Sequence, residues 1–118
     1  MPKLFKLVVF VPTNQADVIR ALLGELGAGK IGNYDYASFS VLGTGRFRPL
    51  PGANPTVGKI GKVESVSEER IETVVSEDIL DEVLDKLRKA HSYEEPVIDV
   101  YPLISHPVTI GGDKEGVE

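Results

Sequence analysis

The chain has 118 residues, enough for one hydrophobic core and too few for two, and it contains no cysteine, which excludes disulfides, thiolate metal sites and a cysteine nucleophile. Its net charge of −5 argues against a nucleic-acid partner, whose footprint is basic. The longest apolar run, Leu7 to Pro12, is far too short to cross a bilayer, and Met1-Pro2-Lys3-Leu4 opens without the apolar stretch of a secretory leader, so a soluble cytoplasmic protein with no membrane partner is expected.

The first predicted element is a strand over Lys3 to Val11, rich in Val, Leu and Phe and closed by Pro12. Thr13 or Asn14 is the expected cap of a helix, because a short side-chain oxygen accepts from an orphan backbone N–H. Val18, Ile19, Leu22, Leu23 and Leu26 then recur on one helical face, and Gly27 and Gly29 supply the stop. A second strand is predicted over Tyr34 to Leu42. A third begins near Ile60; its alternation slips at Ser67 to Arg70, which reads as a bulge inside one long strand running to Val75. Ser76 is the expected cap of the second helix, with Glu77 and Asp78 at its positive end. Its apolar positions are Ile79, Leu80, Val83, Leu84 and Leu87, the same spacing as in the first helix. Lys86, Arg88 and Lys89 stand at its last turn, where the helix dipole favours cations. The last strand, Val97 to Leu103, carries Pro96 and Pro102 and is an edge-strand candidate.

The order is strand, helix, strand, strand, helix, strand. Two β-α-β units of this kind interleave into an α+β, ferredoxin-like sandwich, an antiparallel four-stranded sheet with both helices on one face. Residues 1–103 form the single domain of this reading, and residues 104–118 a polar, partly disordered tail in which Pro107 to Ile110 is a candidate strand for pairing with a neighbour. One sheet face is left bare, with Tyr34 and Tyr36 expected on it. Another copy of the chain is its expected cover, so the predicted partner is the protein itself, a trimer being one closed solution.

Two stretches hold chemistry-bearing residues. The Gly- and Pro-rich segment 43–58 carries Arg46, Arg48 and Asn54, and Gly-rich backbone with arginines suits an anion or an acidic surface of another subunit. It is not a P-loop and not the Gly-x-Gly-x-x-Gly fingerprint, and the plainer reading is an ordered hairpin extension that makes oligomer contacts. The segment Ala90-His91-Ser92-Tyr93-Glu94-Glu95-Pro96 places an imidazole beside two carboxylates. His91, Glu94 and Glu95 are metal candidates for a divalent ion, and His91, Tyr93, Glu94 and Glu95 are ligand candidates. The plainer reading has His91 and Glu94 satisfying backbone groups at a helix end. The only other histidine is His106. No Ser-His-Asp pattern with a nucleophile elbow and no His-Glu-x-x-His is present, so no residue is assigned as catalytic.

Taken together, Gly29-Lys30-Ile31-Gly32-Asn33-Tyr34, Gly43-Thr44-Gly45-Arg46-Phe47-Arg48-Pro49, Gly52-Ala53-Asn54-Pro55, Glu68-Glu69-Arg70-Ile71-Glu72 and Ala90 to Leu103 make the chain resemble the inserted domain of YqfO-type, Nif-three-like proteins over about residues 3 to 103. The chain is expected to be a stand-alone version of that domain. The resemblance implies a fold like the trimeric CutA and PII proteins. It also implies that the family's paired-metal site lies in a flanking domain, so a cyclohydrolase activity does not carry over. The family pattern has Pro where this chain has Ser92, which leaves the turn after His91 less rigid. The reading that follows is a non-catalytic oligomeric binding or regulatory domain. Its alternatives are an enzyme or metal protein with a site at a subunit boundary around His91, and a purely structural module.

Overall fold

A computed structural model describes residues 2–104; the expected tail strand at 107–110 and His106 lie outside them. The elements are β1 (Leu4–Pro12), α1 (Ala16–Glu25), β2 (Phe39–Phe47), β3 (Glu64–Ser76), α2 (Leu80–Ala90) and β4 (Ile98–Pro102), with a 3-10 turn before each helix. The sheet order is β2-β3-β1-β4, and every neighbouring pair is antiparallel. This is the ferredoxin-like arrangement. The strand with two prolines close by, β4, takes an edge, where a missing N–H costs no ladder bond.

The core lies between the sheet and the helices. Leu7, Val9 and Val11 of β1 and Ile71 and Val75 of β3 meet Ile19 and Leu23 of α1 and Val83 and Leu87 of α2, all buried. Each fully buried aliphatic side chain contributes roughly 1.5–3 kcal/mol of transfer free energy. Gly27 ends α1: at φ 102° it takes the left-handed turn, and the N–H of Ala28 closes on the carbonyl of Leu23 at 3.0 Å. Arg20 ties α1 to the sheet through Glu69 of β3 and Ser40 of β2.

Several local expectations are corrected. The helix caps are not made by side chains. Thr13 opens the first 3-10 turn and Ser76 precedes the second, and their hydroxyls bond Ser67 and Asp78 instead. Val18 is 61% exposed, because α1 rests on the sheet through Ala16, Ile19 and Leu23. β2 begins at Phe39, not Tyr34. Tyr36 adopts φ 56°, which breaks an extended backbone, and its ring packs on Gly24 of α1, away from the bare sheet face. The Gly43–Phe47 stretch, read as loop, is strand paired with Ser67, Val66 and their neighbours. β3 begins at Glu64 and has no bulge, since its register with β1 and with β2 is continuous. The slip has another cause. Beyond Glu69, β3 runs past the helices, so its helix-side positions become Ser67 and Ser65, while Glu68 and Val66 occupy the other face.

Candidate functional site

The register puts Lys6, Val8, Phe10 and Pro12 of β1 on the helix-free face, beside Val74, Glu72, Arg70 and Glu68 of β3. Phe39, Val41, Gly43, Gly45 and Phe47 of β2 continue that face. At one end of it the segment after α2 folds over the sheet. His91 leaves the helix in an extended conformation, φ −71° and ψ 138°, and is only 6% exposed. Its Nε2 lies 2.7 Å from the carbonyl oxygen of Phe10. A carbonyl only accepts, so Nε2 carries the proton and donates. Nδ1 is then the acceptor for the Tyr93 N–H at 3.1 Å. Gln15 clamps the same segment, donating to the Ala90 carbonyl at 2.9 Å and accepting from the Ser92 N–H at 3.2 Å.

This clamp aims Tyr93 across the sheet. Its ring stands 5.0 Å from that of His91 and 6.2 Å from that of Phe47, and its hydroxyl donates to Glu68 Oε2 at 2.8 Å. Glu68 is 8% exposed, and its carboxylate lies across Gly45 of β2. A β-carbon at Gly45 would collide with Glu68 Oε1, so glycine at this position leaves the carboxylate room to fold over the strand. From the other side, Glu94 accepts the Asn54 N–H at 3.0 Å and Thr56 donates to the Ser92 carbonyl at 2.7 Å.

Between these parts is a cleft of about 560 Å³. Phe10, Phe47, Leu50, Val57, Val97 and Tyr93 supply mostly apolar walls, with Glu68 among them and Arg46, Arg48, Glu94 and Glu95 also lining it. The structure therefore brings Arg46, Arg48, Tyr93, Glu94 and Glu95 to one cleft. Asn54 meets Glu94 through its backbone. His91 does not line the cleft but lies beneath Tyr93, with Nε2–H donating to the Phe10 carbonyl and its one in-plane lone pair, on Nδ1, already accepting from the Tyr93 N–H rather than facing a metal ion. Among the described residues no group of three His, Asp or Glu side chains is placed to hold a metal.

Sequence pattern alone does not single out Glu68, Phe10 or Phe47 as site residues. Phe10 and Phe47 read as ordinary strand residues. The signal for Glu68 lay in two places: an acid where the alternation of β3 fails, and a glycine two residues after Gly43 on its neighbour strand.

Burial, with the hydrogen bond to Glu68 and its charge, pushes the Tyr93 phenol well above the usual tyrosine range. The folded state thus holds a proton that the unfolded state releases near pH 10. The stabilisation is full below that pH and is lost as pH rises beyond it. An ultraviolet titration is expected to show one tyrosine still protonated after the ordinary range is passed. In Glu68→Gln that tyrosine should ionise earlier; an unchanged titration would place Tyr93 elsewhere.

No family model matches the sequence. The chain is 49% identical over 108 residues to a protein of Halalkalibacterium halodurans named GTP cyclohydrolase 1 type 2 homolog, covering 92% of this chain and 29% of that protein. A Bacillus subtilis protein of the same name is 42% identical over 111 residues, 94% of this chain and 30% of its own length. Among solved structures, a Bacillus cereus protein related to NIF3 superposes with a TM-score of 0.77 at 42% identity, over 88% of this chain and 26% of that one. The periplasmic divalent cation tolerance protein CutA of Archaeoglobus fulgidus superposes with a TM-score of 0.64 over 98% of this chain and 99% of its own, at 20% identity, a likeness of fold alone. The chain spans less than a third of the curated relatives it matches; it is homologous to one segment of NIF3-related proteins, and that segment has the fold of CutA.

Proposed function

We propose that this is a non-catalytic binding or regulatory domain, resembling the inserted domain of YqfO-type proteins, that takes a small molecule in the cleft between the 45–57 and 93–97 segments. The observation that carries this reading is the construction of the cleft: an apolar hollow with one buried carboxylate, held by a tyrosine that is itself positioned by a doubly bonded histidine. Mostly apolar concavities with a few fixed polar groups are the usual form of small-molecule sites. The activity named for the longer relatives is not part of this proposal.

The domain acts in the cytoplasm as a homo-oligomer, a trimer, with neighbouring copies covering the helix-free face. Phe39 at 64%, Val41 at 48% and Tyr101 at 48% exposure support that cover. A light-scattering mass of one chain at micromolar concentration would overturn it.

Binding is tested by a thermal-shift screen over nucleotides, phosphorylated metabolites, organic amines and divalent ions. A ligand present at a hundredfold its Kd stabilises the native state by about 2.7 kcal/mol, or roughly 10 °C for a domain of this size. A screen in which no class moves the melting temperature would sink the binding reading.

A further inference from the structure

Glu68 is the only buried acid among the described residues. A carboxylate taken out of water is costly unless a cation or several donors meet it. Tyr93 supplies one donor, to Oε2. No ion pair among the described residues includes Glu68. Its cross-strand neighbours on the same face are Pro12 and Gly43, with Phe10 and Gly45 one step further, and none has a side-chain donor. Arg70, two residues along β3, is taken up by Glu72 at 2.9 Å and by the Phe10 ring, 5.6 Å from its centroid. The open side of the carboxylate is the cleft.

We infer that the cleft takes an organic cation, a small molecule with one ammonium, amidinium or guanidinium group on an apolar body, whose charge meets Glu68 while the body lies against Phe47, Tyr93, Leu50, Val57 and Val97. This rests on the proposed binding reading and narrows its ligand. A carboxylate flanked by aromatic rings is a cation site twice over, through opposite charge and through the negative faces of the rings. Gly45 fits the same assignment, since it is what allows the carboxylate to lie in the hollow. Arg46 and Arg48 line the same cleft together with Glu94 and Glu95, and Glu68 is the one buried charge among these groups.

The test uses benzamidine, its neutral isostere benzamide and the anion benzoate, titrated into the full chain by NMR and calorimetry. Benzamidine is expected to shift the backbone amides of Gly45 and Tyr93 and to bind at least about tenfold more tightly than benzamide, the scale of a hydrogen bond to a charged group. Glu68→Gln keeps the shape and an acceptor for Tyr93, and should erase that preference. Glu82→Gln removes an equal charge from an exposed position on α2 and should preserve it. Equal affinity for benzamidine and benzamide in the unaltered chain would overturn the inference without reference to any variant. Stabilisation by benzoate or phosphorylated metabolites but not by benzamidine would overturn it and leave the binding reading standing. A blank result with every probe and every class of the thermal screen would remove both. Loss of oligomer mass in Glu68→Gln, with no probe bound, would mean that a basic side chain of another copy meets the carboxylate, and the small-molecule site would fall.

Discussion

Replacing His91 with alanine is expected to lower the stability of the domain by about 2–4 kcal/mol, mainly by stranding buried polar groups. The Phe10 carbonyl loses its imidazole donor and the Tyr93 N–H loses its acceptor. The space left beneath Tyr93 also frees the ring from the position in which it reaches Glu68. Urea denaturation measures the loss. His91→Gln, whose amide can still donate to the Phe10 carbonyl, should recover part of it. A fall of less than about 0.5 kcal/mol, the scale of an ordinary surface substitution, would show that the imidazole is not structural and would reopen a catalytic or metal role for it.

The second large effect lies in the core. Leu87→Ala removes a fully buried side chain of α2 that touches the core cluster, and should cost about 2–5 kcal/mol through lost transfer energy and the cavity left behind. The melting temperature should fall by roughly 4 °C for each kcal/mol. Val18→Ala makes the control. Val18 belongs to the same apolar periodicity in α1 that Leu87 has in α2, but it is 61% exposed, and its loss should stay within about 0.5 kcal/mol. Calorimetry on both variants separates the positions that periodicity alone treats as equal. Similar losses would mean that α1 sits differently on the sheet.

The same contrast explains what the sequence could and could not disclose. Both helices, the order of elements and the edge position of β4 follow from apolar period and proline placement, and both are properties of neighbours along the chain. The ends of β2 and β3 do not. Tyr34 to Ser38 has strand-like composition, yet a left-handed Tyr36 packed on Gly24 decides its path, and that contact joins residues from two different elements. The apparent slip in β3 is a change of environment at the edge of the helix layer. For the site, the 91–95 cluster was visible because it is contiguous. Its partner Glu68 was not, because the pair is made across the sheet by Tyr93, and the space for it is made by a glycine on a third segment.

The two walls of the cleft are fastened unequally. The 91–97 wall is pinned to β1 and to the 13–15 turn by His91, Gln15 and the Phe10 N–H bonded to the Val97 carbonyl. The opposite wall is joined to it through two exposed hydrogen bonds, Asn54 to Glu94 and Thr56 to Ser92. Together these are worth about 1–3 kcal/mol, against the roughly 5–15 kcal/mol that holds a typical domain folded. The hold between the two walls can therefore be tuned at Glu94 and Thr56, whose side chains make these two bonds, without touching Glu68 or the rings that would hold what enters.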